Sequence, residues 1–134
     1  MSINWVTLTA IFIGGGAGSV ARAVLGAGVN KISSAGVNLA PTIAPLGIIA
    51  ANVIATGLLA AIIIYGGDKW GRDSIWMPLL AVGFCGGFST FSTFSIDTLR
   101  LFQEGNNIWA IANILVSVVT CLAVGWVVFK VWAK

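Results

Sequence analysis

Apolar residues fall in four long runs separated by short polar stretches. The first runs from about Asn4 to Leu25, the second from near Pro45 to about Tyr65, the third from about Ile75 to Phe102 and the fourth from about Ile108 to Phe129. Each holds about 20 residues or more, the length a helix needs to cross the hydrocarbon core of a bilayer. The pattern therefore predicts an all-α chain with four transmembrane helices, forming one membrane domain over residues 1–134. The gaps carry turn formers: Gly26 to about Thr42 with Gly, Ser, Asn and Pro41, then Gly66 to Ser74, then Gln103 to Asn107. Pro45 suits a first helical turn. The stretch Met1 to Trp5 lacks a basic n-region, and the apolar run behind it is too long for a signal peptide. It is expected to stay as the first membrane helix.

The third run contains an interruption. Its middle reads Gly-Phe-Cys-Gly-Gly-Phe-Ser-Thr-Phe-Ser-Thr-Phe-Ser from Gly83 to Ser95. Gly83, Gly86 and Gly87 are poor helix formers, and the Ser and Thr residues that follow can cap a new helix, so the third span is expected to be broken at mid-membrane. In hydrocarbon such a break is tolerated only where protein buries it or a polar path runs past it. The half-helix ending near Gly83 to Gly86 would offer free carbonyls to a cation, and the half-helix starting near Ser89 or Thr90 would offer free N–H groups to an anion. Ser89-Thr90-Phe91 and Ser92-Thr93-Phe94 repeat as a tripeptide. Residues three apart share a helix face, so Phe91 and Phe94 form an aromatic row beside a row of hydroxyls. The competing reading is a Phe stripe packed in a core, with the hydroxyls bonded back to helix carbonyls.

Composition narrows the function classes. The chain is 58% apolar and 8% charged, with a mean hydropathy of +1.01, so its solvent is mostly lipid. The net charge of +3 comes from residues placed mainly at segment ends, which reads as headgroup contact. No basic cluster with interleaved aromatics points to nucleic acid. Histidine is absent, and Asp68, Asp73, Asp97 and Glu104 are scattered, so neither a transition-metal site nor a paired acid/base centre can be assembled. Enzymatic chemistry is not expected. Cys85 and Cys121 sit inside apolar runs as reduced packing residues.

Polar and small residues inside the spans are the remaining candidates. Gly14 and Gly18 form a small-xxx-small pair that lets backbones approach closely. Arg22 lies one turn beyond Gly18, either snorkelling to the interface or holding a structural or ion-attracting position inside. Asn52 is the strongly polar residue of the second span, able to bond across helices or to donate to an anion. Asn113, Ser117 and Cys121 recur every four positions along the fourth. They could line a path or act as polar glue. Asp97 and Arg100 are spaced for a local ion pair. Basic residues are nearly balanced between the two sides, so orientation is weakly specified, which permits an antiparallel dimer.

Over nearly its whole length the sequence resembles the small bacterial fluoride channels of the CrcB/Fluc family: four spans, Gly14-Gly15-Gly16-Ala17-Gly18 with Arg22, Asn52, and the Gly83 to Ser95 motif. The resemblance implies a dual-topology antiparallel homodimer in the bacterial inner membrane, with two pores that conduct fluoride passively out of the cell. It implies a structural sodium ion (Na+) at the dimer centre, held by backbone carbonyls that here match Gly86 and Ser89. Phe91 and Phe94 correspond to pore phenylalanines, Asn52 to the pore asparagine, and Ser92 and Thr93 to neighbouring polar groups. Asn113 and Ser117 match a polar track on the fourth helix. Some relatives carry tyrosine in place of Asn113 and serine in place of Cys121.

The residues agree with that picture physically. Fluoride is small and strongly hydrated, so amide N–H, hydroxyl O–H and the positive edges of Phe rings must replace its water, while the lack of a fixed cation in the path permits release. Two other classes remain at this point. A dual-topology small multidrug transporter would want a membrane-embedded carboxylate, absent from the first span. A purely structural membrane subunit would use its Gly, Ser and Thr residues for packing alone.

Overall fold

In the computed structural model, which describes residues 3–34, 43–71 and 74–132, every regular element is a helix. Helix α1 covers Trp5–Ser34 and α2 covers Ile43–Lys69. The third span has two halves. A wide, π-bonded coil over Met77–Cys85 runs on into an α-helical turn over Gly86–Phe88, together α3, and α4 follows over Phe91–Gln103. Helix α5 covers Asn107–Trp132. Among the described residues, four stretches are long and apolar enough to cross a membrane: Trp5–Val29, Pro45–Gly67, Met77–Gln103 and Asn107–Trp132.

Many large side chains point outward, and apart from Phe88 and Leu101 the buried apolar residues are small. Phe12, Val20 and Val24 on α1 and Val119, Leu122 and Trp126 on α5 are exposed, whereas Ala10, Ala51, Ala55, Ala60 and Ala110 are buried. Lipid is as apolar as leucine, so burying large side chains gains little in a membrane. Association rests instead on close packing of small residues.

The seam between α1 and α3 is the tightest case. A methyl group on Gly14 would run into the Leu79 carbonyl, one on Gly18 into the Phe84 carbonyl, and one on Gly87 into the backbone of Gly15. The small-xxx-small reading of Gly14 and Gly18 is borne out, and its partner is the glycine set of the third span.

Three expectations need correction. Gly83, Gly86 and Gly87 do not stop the helix: Gly86 has φ −65° and ψ −38°, and the interruption is confined to Ser89 (φ −78°, ψ 157°) and Thr90 (φ −154°, ψ 116°). Those glycines serve backbone contact instead. Helix α1 does not end at Leu25 but continues to Ser34, because α2 packs on Gly26: a Cβ on Gly47 would stand 3.3 Å from the Gly26 Cα. The rest of the expected loop, with Pro41, lies outside the described residues. Helix α2 likewise runs past Tyr65 to Lys69, with the Trp70 ring against Gly66 and the Trp70 N–H bonded to the Gly66 carbonyl at 2.9 Å. Arg72 and Asp73 also lie outside the described residues.

The expected turn before the last helix is present and has a clear cause. Gly105, at φ 77°, ends α4 while Asn106 N–H bonds the Leu101 carbonyl at 2.8 Å and Gly105 N–H bonds that of Phe102 at 3.1 Å. This paired pattern satisfies helix-end carbonyls and favours glycine at the left-handed position. Asp97 and Arg100 meet one turn earlier at 3.8 Å.

Candidate functional site

The interruption at Ser89 and Thr90 is held by a side chain from another helix. Asn52 Oδ1 accepts from the Thr90 N–H at 2.8 Å, and Asn52 Nδ2 donates to the Thr90 carbonyl at 3.2 Å. In an unbroken helix the Thr90 N–H would bond the Gly86 carbonyl, four residues back. Asn52 takes that donor away and also adds a bond to the carbonyl of the same residue, whose own helical role is to start α4. Its amide is thereby fixed in orientation, because only the oxygen can receive the Thr90 N–H. One N–H of the amide remains for the cleft that Asn52 lines.

On the far side of the break Thr90 caps α4. Its hydroxyl accepts from Thr93 N–H at 3.3 Å and shares hydrogen bonds with the hydroxyls of Ser92 at 3.2 Å and Thr93 at 3.1 Å. On the near side, helix-end carbonyls meet donors from α1. Arg22 Nη1 donates to the Ser89 carbonyl at 3.2 Å, and the Ser19 hydroxyl to that of Gly87 at 3.4 Å. Arg22, half-buried, thus reaches the backbone of the interruption.

Phe91 and Phe94 stand with ring centroids 5.7 Å apart, tilted by 43°. They line a cleft of about 330 Å³ together with Asn52, Thr56, Ser89, Thr90, Ser117 and Cys121. Four of the expected pore residues, Asn52, Phe91, Phe94 and Ser117, thus converge on one space, with Ser89 beside them. Ser92 and Thr93 do not line it; they are exposed on the outer side of the α4 start, tied to Thr90. Asn113 borders a separate cavity of about 120 Å³ with Pro45, Leu46, Ile49, Leu101, Trp109, Ala112 and Val116.

Hydroxyl bonding separates glue from free donors. Thr56, Ser95, Thr98 and Thr120 each donate to the carbonyl four residues back, at 2.6 to 2.8 Å. For these the back-bonded reading holds. Ser117 Oγ, by contrast, is buried with no hydrogen-bond partner, as is Asn113 Oδ1. Ser117 is a helix hydroxyl with an uncommitted proton, buried in the wall of the cleft that both phenylalanines line.

Sequence reasoning did not single out Thr98 or Thr56, and it placed Thr90 only as a helix start. Thr98 has no distinguishing local signal. Its partner, Asn113, is on the next helix, donating to the Thr98 hydroxyl at 2.7 Å.

Comparison with known proteins supplies the family. The family model "CrcB-like protein, Camphor Resistance (CrcB)" matches residues 9–129. A protein of Escherichia fergusonii named "Fluoride-specific ion channel FluC" is 40% identical over 131 residues, covering 94% of this chain and 93% of the relative. "Fluoride-specific ion channel FluC 1" of Yersinia pestis is 37% identical, covering 92% and 91%. An Escherichia coli O139:H28 protein of the FluC name is 41% identical over 121 residues, covering 87% and 85%. These relatives are named as ion channels and not as enzymes. With four membrane-spanning stretches, a broken third span and matches across nearly its full length, the chain is a multi-pass membrane protein and belongs to the CrcB-like family.

Proposed function

We propose that this protein is a fluoride-selective channel of the bacterial inner membrane that lets fluoride leave the cell passively. The observation that carries the reading is the convergence of Phe91, Phe94, the spare Asn52 N–H and the uncommitted Ser117 hydroxyl on one cleft beside a helix break. Ring edges, an amide proton and a hydroxyl proton are the donors a dehydrated fluoride needs, and the relatives from Escherichia fergusonii and Yersinia pestis carry the fluoride-channel name. Among the described residues no basic side chain lines the cleft, so binding stays weak enough for release. A membrane potential negative inside drives an anion outward by about 2.3 kcal/mol per 100 mV.

The working unit is an antiparallel homodimer with two pores. Phe91 is 79% exposed in the single chain, and Ser92 and Thr93 are exposed beside it, although all three lie midway along a membrane span. Polar groups at that depth need a protein cover, and a second copy inserted the other way round, which the weak charge bias permits, supplies it. Sodium fits the centre of that dimer. The Gly86 carbonyl is released from its helical bond by the Asn52 clamp, and the Ser89 carbonyl is turned out of the helix. Oxygen-only donors at a half-helix C-terminus suit a hard cation. The ion would neutralise carbonyl repulsion between the two copies; it is a staple, not cargo.

Fluoride efflux from liposomes holding the purified protein tests the reading. Fluoride should leave much faster than chloride, and Phe91→Ile or Phe94→Ile should suppress it while leaving the dimer intact on size exclusion. Equal leakage of the two halides, or no response to either substitution, defeats the channel assignment.

A further inference from the structure

Thr98 and Asn113 form a buried pair between α4 and α5, 7% and 5% exposed. The Thr98 hydroxyl donates its single proton to the Phe94 carbonyl at 2.7 Å. Only lone pairs are then left for Asn113, so Asn113 must present its NH2 group, and Nδ2 donates to Thr98 Oγ1 at 2.7 Å. The amide is locked by that constraint. Its oxygen is turned away and buried without a partner, and its second N–H is left over.

The pair lies between two open spaces. Asn113 borders the smaller cavity, and one turn along α5 Ser117 opens onto the cleft with Asn52, Phe91 and Phe94. An anion passing between them meets the Asn113 amide on its way. A free N–H would attract it, and a bare carbonyl oxygen would repel it. Which of the two it meets is decided by Thr98, which fixes one N–H and with it the direction of everything else on that amide.

We propose that Thr98 is a positioning residue of the anion path, acting through Asn113 by setting which end of its amide faces the passing ion. The inference rests on the fluoride-channel reading and adds a residue to it. Thr98 touches neither cavity, so it works only through its neighbour.

The test is fluoride efflux from liposomes for the wild type, Thr98→Val, Thr98→Ser, Asn113→Ala and the Thr98→Val/Asn113→Ala double variant, with thermal unfolding of the same five proteins. Valine keeps the shape of threonine without the hydroxyl. Thr98→Val should lower flux about tenfold, Thr98→Ser should stay within about twofold of the wild type, and the double variant should match Asn113→Ala alone. The inference is overturned if Thr98→Val conducts normally, if Thr98→Ser is as poor as Thr98→Val, or if the two losses multiply in the double variant. Wild-type vesicles that release no fluoride would defeat the channel reading itself. The unfolding data then decide the pair: coupled losses of stability support a fixed Thr98–Asn113 amide, and additive losses overturn it.

Discussion

Replacing Asn52 by leucine removes the clamp on the broken span while keeping a side chain with the same number of heavy atoms and the same branch point. Two hydrogen bonds to the backbone of Thr90 disappear, at 2.8 and 3.2 Å, and Thr90 is 8% exposed, so its backbone is poorly placed to bond water instead. The Thr90 carbonyl, at the N-cap, still accepts the first bond of α4, but the Thr90 N–H is orphaned, and an unsatisfied buried backbone group costs about 1–3 kcal/mol against the interrupted form. The chain has an escape: if Ser89 and Thr90 turn helical, the Thr90 N–H can bond the Gly86 carbonyl again. The variant should therefore favour a continuous third helix, with Phe91 rotated away from the cleft. Taken as a population shift, that energy lowers the conducting form by about fivefold at least. Fluoride efflux from liposomes measures it, with size exclusion confirming that the protein is still folded. Asn52→Asp separates the clamp from the charge. Its carboxylate still accepts from the Thr90 N–H but sets an oxygen against the Thr90 carbonyl and a negative charge beside the anion, so flux at neutral pH should fall at least as far. Near wild-type flux for Asn52→Leu would show that the break does not depend on this amide and would refute the reasoning.

Two further perturbations probe the framework. Gly14→Ala should lower the melting temperature sharply, because the methyl meets the Leu79 backbone and overpacking costs about 1–3 kcal/mol or more, whereas Gly16→Ala, which meets nothing within 4 Å, should be neutral; equal effects would remove the backbone seam from the account. Arg22→Met keeps the stem but loses the charged donor to the Ser89 carbonyl, and should reduce stability by about 1.5–3 kcal/mol in a denaturation assay. An unchanged midpoint would return Arg22 to the interface.

Much of this architecture was legible in the hydropathy pattern. Four spans, the interruption in the third and the pairing of Phe91 with Phe94 follow from run length, glycine and a tripeptide repeat. The glycines misled about the position of the break, since their low helix propensity is a local quantity. The seam with α1 holds Gly83 and Gly87 in helical geometry, and the actual stop is imposed by Asn52 from 38 residues away. The ends of α1 and α2 were missed for the same reason: Gly26 and Gly66 read as turn formers, yet contacts with Gly47 and Trp70 keep the helices going. Within the site, Asn52 could be singled out as a polar residue among apolar ones, but its bonding to Thr90 could not. Ser92 and Thr93 looked equivalent to their neighbours in the repeat, and only the direction of the α4 start turns them away from the cleft. Thr98 carried no signal, because a threonine in a helix is ordinary until its partner across the bundle is known.

The threefold sharing at Thr90 has a dynamic consequence. The hydroxyls of Ser92 and Thr93 each lie within 3.2 Å of the Thr90 hydroxyl oxygen, with no fixed order of donor and acceptor. Their protons can exchange roles by torsion alone, on the picosecond to nanosecond scale of side-chain rotation. The mouth of α4 therefore behaves as a small reorientable dipole array, able to follow a moving charge without displacing a single heavy atom.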